Sequence, residues 1–548
     1  MSAATWWLLV PLAPLLALLG GLLHGRPLRV LWLGCVPALA LAAWPVPALE
    51  LPWLWDGVRW GLDDALGRAW LGFSALLWLV AGGFMAGPDD GFAARRLACC
   101  WQLCQAGNLL LILATDALSF YLGFSAMSLA AFGLIVHDGG PGPRRAGRLY
   151  LQLAVLGELA LLCGLLLRCQ AAGGSFAFAA WAGVPVRPPE ALLLLLGLGL
   201  KAGFWPLHAW LPLAHPAAPA AASAVLSGAM LKAGLLALWR SLPGPDPLLE
   251  AWAPGLLGVG LFGAFLAALL GLCSLRAKTA LAYSSVSQMG WLLMILALAW
   301  RHPAQREALM AVLALFGAHH GLAKGALFLG VGLAHEARLS RLGWGLAALP
   351  ALALAGLPLS SGAAAKLALK DVWYDGDFAT ALPLLGLASL ATALLLARAL
   401  WLMAREQPRR PVEVPAVRWA GWAVLAVLPW LLPWGWAPSR EPLLGHLSLA
   451  GLWALAWPVL LGLCLVGLGW RGGWRLPAAW RGPPQPVLAW SLAVGRLLRA
   501  PPRTTATAPR AARRWRPLER RCNRLLRRDA LATSGWLLAL LLGLVWLL

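Results

Sequence analysis

LGLGLKAGFWPLHAWLPLAHPAAPAAASAVLSGAMLKAGLLALW, residues 196–239, decides the fold of this chain. It sets Lys201, Lys232, His208 and His215 in apolar sequence and interrupts that sequence with Pro206, Pro212, Pro216 and Pro219. A lysine near the centre of a bilayer costs about 2.5–3.5 kcal/mol on insertion scales, so an ionisable residue at that depth is a functional-site candidate by default. Proline removes a helix hydrogen bond and clashes with the preceding turn. A helix broken at membrane depth persists only where protein or water satisfies the freed backbone groups, and transporter ion sites are often built from such breaks.

Working outward, the rest of the chain has the same character. Of its 548 residues, 61% are hydrophobic and only 12% charged. Runs of about 20 apolar residues, each long enough to cross the hydrocarbon core, recur from end to end, which predicts an all-α polytopic membrane protein. A soluble protein of this composition would expose far more apolar surface than water tolerates. The first run, from Trp6 to Leu23, has no charged leader and no small-residue cleavage site, and reads as a retained span rather than a signal peptide.

Spans are expected near residues 5–23, 28–47, 67–86, 97–114, 117–136, 149–168, 190–206, 220–240, 253–274, 279–300, 308–333, 343–372, 378–404, 419–437, 447–470 and 530–548, about sixteen in all. Alternate loops carry Arg26 and Arg29, Arg95 and Arg96, Arg144, Arg145 and Arg148, Arg276 and Lys278, Arg338 and Arg341, then Arg405, Arg409, Arg410 and Arg418. The loops between them are acidic or neutral, with Asp116, Glu190, Asp246 and Glu250 among them. That alternation predicts an amino terminus outside and the basic loops inside. Arg471 to Arg528 is rich in arginine, proline and tryptophan and reads as a basic cytoplasmic surface segment, ahead of a last helix over residues 529–548.

The net charge of +22 sits mostly in those loops and that segment, which marks orientation and a membrane surface rather than nucleic-acid binding. Nine cysteines include the cluster Cys99, Cys100 and Cys104, inside an apolar span, where they read as small buried hydrophobes. No metal site is expected, because neither histidine nor a paired CxxC lies nearby. The sequence shows no dinucleotide fingerprint, P-loop, haem or iron–sulfur spacing, or nucleophile motif. No cofactor is expected, and energy for transport must come from an ion gradient or a partner subunit.

Buried ionisable candidates are Glu158, Lys201, His208, His215, Lys232, His319, His320, Lys324 and Lys366. Desolvation lowers a lysine pKa and raises a carboxylate pKa, bringing such groups toward neutral pH, where they can take up and release protons. Glu158 either titrates or neutralises a cation on a neighbouring helix. His208 either joins the relay or caps a broken helix end. Lys370, beside Asp371, reads as a residue snorkelling to the interface, and Asp116 as a helix cap. The segment from Trp344 to Trp373 carries Pro350, Pro358 and Lys366 and echoes the one around Lys201, a pairing that points to inverted repeats.

Four blocks carry a resemblance: KAGFWPLHAWLPLAHPAAPAAASAVLSGAMLKAG, AKTALAYSSVSQMGWLL, HHGLAKGALFLGVG and GLPLSSGAAAKLALK. They resemble the proton-translocating, antiporter-like subunits shared by respiratory complex I, membrane-bound hydrogenases and Mrp-type sodium/proton antiporters. The resemblance implies a core of about fourteen helices, with two inverted five-helix repeats and discontinuous seventh and twelfth helices, and here about two further C-terminal spans. On that basis the chain divides into N-terminal spans over 1–90, repeats over 91–245 and 246–405, C-terminal spans over 406–470, the basic segment over 471–528 and the last helix. By the same resemblance, Lys201 stands for the lysine of the seventh helix and Lys232 for that of the eighth. His319, His320 and Lys324 stand for the polar group of the eleventh, and Lys366 for the lysine of the twelfth.

Two positions depart from the family pattern. Trp-Glu is usual in the fifth helix, but ALSFYLGFSAMSLAAF has Phe124-Ser125 there, and the position after the WLP of residues 210–212 is Leu213. Glu158, in the next segment, is the expected substitute partner of Lys201. Together these features imply a divergent member nearest to the D-type members of the Mrp antiporters, working in a bacterial inner membrane with other membrane subunits and conducting protons, with or without exchange for sodium. Two alternatives share the resemblance: the membrane subunit of a two-component inorganic-carbon uptake complex, and a non-conducting paralogue that scaffolds a complex.

Overall fold

The computed structural model describes residues 3–55, 57–62, 65–85, 91–373 and 383–472. Beyond residue 472, the expected basic segment and last helix lie outside the described residues. Nineteen α-helices follow one another among the described residues. They are α1 (Ala3–Leu23), α2 (Val36–Ala43), α3 (Ala65–Met85), α4 (Phe92–Leu113), α5 (Ala117–Ile135), α6 (Pro141–Ala171), α7 (Pro188–Ala202), α8 (Leu211–Ala217), α9 (Ala220–Gly228) and α10 (Ala233–Ser241). After them come α11 (Pro247–Leu272), α12 (Ala277–Arg301), α13 (Arg306–Glu336), α14 (Arg341–Ala355), α15 (Ser361–Trp373), α16 (Pro383–Arg405), α17 (Ala416–Gly435), α18 (Ala437–Gly445) and α19 (Leu449–Arg471). The protein is an integral, multi-pass, all-α membrane protein, and 12 of the described helical segments are long and apolar enough to cross a bilayer.

Most expected spans form where the apolar runs fall, and four depart from a simple continuous helix, the eighth crossing among them, at a break beside Lys232. Residues 28–47 form the apolar helical segment Pro27–Ala43, irregular at its start: two 3₁₀ turns, Pro27–Val30 and Leu33–Cys35, lead into the eight-residue α2. Gly34 lets this segment pack closely on α1: a Cβ there would lie 2.6 Å from the Pro14 Cα. The seventh crossing is α7, an irregular stretch and α8. The twelfth is α14 and α15 with a break between them.

The centre of the molecule is α9–α10, α12 and α13, which are buried along their whole apolar length, whereas α19 presents most of its surface. Close approach at the centre depends on small residues. A Cβ on Gly260 of α11 would lie 2.7 Å from the Gly290 carbonyl of α12, and one on Gly290 would lie 2.5 Å from the Gly260 carbonyl. At the amino-terminal end of α5, Asp116 caps the helix by accepting from the Ser119 amide at 2.8 Å, and it also receives the Trp55 indole N–H.

Candidate functional site

Lys201 stands in the last turn of α7, where Gly203, at φ +68°, ends the helix in the left-handed conformation. A positive side chain at a helix C-terminus faces the negative end of the backbone dipole. The indole of Trp210 donates to the Leu200 carbonyl at 2.8 Å, filling one of the acceptors that the break frees. The Lys201 amine donates to Ser128 Oγ at 3.0 Å and to the Tyr150 hydroxyl at 3.3 Å, and it lies 5.7 Å from the centre of the Phe124 ring. Beside it a cavity of about 20 Å³, lined by Ser128, Tyr150, Gly157 and Trp210 among others, has room for a water.

The expected direct pairing of Lys201 with Glu158 is not formed. Glu158 is buried on α6 within electrostatic range of the amine, yet no ion pair joins the two, and Glu158 Oε1 has no hydrogen-bond partner. Tyr150, two turns earlier on the same helix, takes the contact instead.

Lys232 sits at a second break, which no proline in the sequence announces. The eighth crossing is interrupted after Gly228, and a single 3₁₀ turn, Met230–Lys232, joins α9 to α10. The Lys232 amine turns back to the Ser227 carbonyl at 2.9 Å, and the Ser227 hydroxyl meets that of Ser285 of α12 at 2.7 Å. A short 3₁₀ stretch inside a longer helix often marks a hinge.

On α13, His319 shares a hydrogen bond with Ser361 of α15 at 2.7 Å, and Lys324 donates to the Leu281 carbonyl at 2.9 Å. His320 lies between them with neither ring nitrogen bonded. Lys232, His319 and Lys324 all come within electrostatic range of His320, and Lys366 within range of His319. Lys366 closes this line at the third break, where Gly356 has φ +88° and Leu359 has φ +69°. Its amine donates to the Ala355 carbonyl at 2.7 Å and to Ser389 of α16 at 2.6 Å. The two outer lysines thus both rest at the carbonyl end of the first half of a broken helix.

His215 stacks on Phe328 of α13 at 4.5 Å, within range of Lys324 and of Lys278. His208 caps nothing: neither ring nitrogen has a partner, and its ring faces Tyr283 at 6.2 Å. Lys370 is exposed. Between Lys201 and Lys232 the packing is apolar: Gly234 lies against Ala202 and the Leu198 backbone, and Gly203 against Leu231. The residues so brought together form one cluster around Lys201 and a continuous line from Lys232 to Lys366.

Ser128, Tyr150, Ser227, Ser285, Ser361 and Ser389 are the contacts that sequence reasoning missed. Their only signal was a hydroxyl within an apolar run. Reading also placed Glu190 in a surface loop, whereas it is buried in the first turn of α7 and paired with the fully buried Arg168 of α6 at 3.1 Å. Arg168 donates as well to the carbonyls of Trp181, Val184 and Pro185, which spares a buried guanidinium from lacking partners.

Helical crossings broken beside lysines make this an integral membrane protein with an ion-site architecture. Residues 114–369 match the family model described as NADH:quinone oxidoreductase/Mrp antiporter, transmembrane. Hydrogenase-4 component B of Escherichia coli K12 is 31% identical over 255 residues, covering 44% of this chain and 38% of the relative. NADH-quinone oxidoreductase subunit N of Syntrophotalea carbinolica is 30% identical over 236 residues, covering 39% and 48%. A chain of the Mrp complex from a Dietzia species superposes with a TM-score of 0.67 at 25% identity, covering 100% of this chain and 62% of that one. The match thus spans less than two thirds of each relative.

Proposed function

We propose that this protein is a proton-conducting subunit of a multisubunit membrane complex. Protons pass along Glu158, Lys201, Lys232, the His319, His320 and Lys324 cluster and Lys366, with His208 and His215 beside the route. The observation that carries this reading is the set of buried ionisable groups at the centre of the bundle, Lys232 beside the break between α9 and α10 and His319, His320 and Lys324 on the unbroken α13, with the half-buried Lys366 reaching the break after α14. Such groups are costly in a merely structural role and suit proton transfer. The relatives belong by name to a hydrogenase, a quinone oxidoreductase and an Mrp complex, which supports other membrane subunits as partners and a bacterial plasma membrane as the location. The family resemblance also supports two inverted repeats and exchange of protons against sodium, and the loop charges support an outside amino terminus.

The test replaces Lys201 with alanine and measures proton flux in membrane vesicles that hold the whole assembly. Flux is expected to fall to background while the assembly persists, and unchanged flux would sink the relay. A scaffolding role without conduction is favoured by one observation, the apolar packing between Lys201 and Lys232. It predicts retained assembly and unaltered flux when Lys201, Lys232 and Lys366 are all neutralised.

A further inference from the structure

Around the axis of α16, its neighbours leave one face open. Gly271 of α11 packs under Leu395 and covers one side. On another side lies α19: a Cβ on Gly386 would sit 3.8 Å from the Trp457 ring, and one on Gly462 would sit 3.0 Å from Ala393. The two contacts advance together along the sequence, so α16 and α19 run parallel and finish on the same side of the membrane, at Arg405 and Arg471. Between these neighbours Leu387, Ala391, Leu394, Arg398, Trp401 and Arg405 follow at intervals of three and four residues, which sets them on one helix face. All six are half-buried or exposed, so the face is the floor of a groove, apolar at first and basic at its end.

At the basic end, the guanidinium carbon of Arg398 lies 4.4 Å from the centre of the Trp401 ring and that of Arg405 lies 4.7 Å from it, so one indole gathers two cations. Arg398 also donates to the Ser274 carbonyl at 3.0 Å, just past the end of α11, which brings it level with the turn between α11 and α12. That turn and the end of α19 add the exposed Arg276 and Arg471. Neither α16 nor α19 contains an aspartate or glutamate. Glu406, the acid that follows α16, is already engaged by the Ala277 amide at 2.9 Å and by His335 at 2.8 Å. An apolar groove that ends in arginines is complementary to an acyl chain with an anionic head, and a planar guanidinium binds phosphate through paired N–H donors. We propose that the groove on α16 between α11 and α19 binds one anionic phospholipid, with its phosphate on Arg398 and Arg405 beside Trp401 and an acyl chain along Leu394 and Leu387. A head that also carried an ammonium would set that cation among arginines, so a net negative head such as phosphatidylglycerol is preferred. The lipid belongs to the leaflet on the side of the α11–α12 turn, and its site does not depend on proton conduction.

The experiment reconstitutes the full chain with its partner subunits in phosphatidylcholine vesicles that hold a minor share of phosphatidylglycerol carrying a photoactivatable diazirine on an acyl chain. After illumination, mass spectrometry of peptides is expected to find adducts on α16 between Leu387 and Leu394. Arg398→Gln combined with Arg405→Gln is expected to lower their yield about tenfold. Arg405→Gln alone, a change at an exposed position that leaves the Arg398 bond to Ser274 in place, is expected to lower it several-fold. Arg409→Gln combined with Arg410→Gln removes the same charge from the following loop and is expected to leave the yield unchanged. Equal losses in the two double variants would reduce the effect to surface attraction and overturn the site, as would no loss in Arg405→Gln. Equal yield from phosphatidylcholine carrying the same diazirine would overturn the preference for an anionic head. Absence of adducts on α16 in the unaltered chain would also overturn the site, since a partner helix then covers the face. Inorganic phosphate in excess is expected to leave the adducts in place; their loss would make the ligand a free anion and overturn the lipid.

Discussion

At the scale of single residues, the buried groups sort by whether the protein satisfies them. Arg168 and Glu190 are paired: both are fully buried, and the two terminal guanidinium nitrogens reach the carboxylate and three carbonyls. That arrangement is structural, and it ties the end of α6 to the start of α7. Removing one partner of such a pair leaves the other as an uncompensated buried charge, which costs about 3–5 kcal/mol. Glu190→Gln is therefore expected to lower the melting temperature of the purified protein markedly. An unchanged melting temperature would show that the carbonyls alone suffice. His215 and His320 are the opposite case, with no nitrogen bonded, and both border the lysine line.

At the scale of elements, the breaks matter more than the helices. Gly356 adopts a φ that side chains rarely tolerate, and a Cβ on it would fall 2.7 Å from the Lys366 amine. Gly356→Ala should displace that amine from the Ala355 carbonyl and remove most of the proton flux, while the complex still assembles on a native gel. Full flux would separate the twelfth-helix lysine from conduction. A packing prediction belongs to the seam of α11 and α12. Gly290→Val must push the two helices apart, whereas Gly258→Ala meets nothing within 4 Å. The first is expected to lower the yield of folded protein and the second to leave it unchanged, as read by size-exclusion chromatography in detergent. Equal yields would mean that the seam adjusts without loss.

Over the whole molecule, the alternation of loop charge supports an outside amino terminus, which labelling can test. Gly142→Cys, at the start of α6, and Ala182→Cys, between α6 and α7, are expected to react with an impermeant thiol reagent from opposite faces, Gly142→Cys from the cytoplasmic one. Labelling of Gly142→Cys from the outer face, or of both from one side, would refute the proposed orientation. Much of this architecture was legible in the sequence, because a charged residue in an apolar run is conspicuous and a proline or glycine beside it announces a break, as at Lys201 and Lys366. The break at Lys232 was not, for no proline marks it. Gly228 there packs under Leu77 of α3 and against the Gly321 backbone of α13, contacts that only the assembled bundle supplies. Ser128 and Tyr150 escaped for a related reason, since a hydroxyl in an apolar run does not reveal which amine it will meet.

The burial of α13 along its apolar length also bears on how the protein is made. This helix brings His319, His320 and Lys324 into the membrane, and one lysine at the centre of a lone helix already costs about 2.5–3.5 kcal/mol. The Leu281 carbonyl that receives Lys324 belongs to α12, and the backbone that packs on Gly321 belongs to α9, both synthesised earlier. Biogenesis therefore has an order written into it: α13 leaves the translocation machinery for a cradle its predecessors have built, and a lesion in α9 or α12 would first be felt as failed insertion downstream.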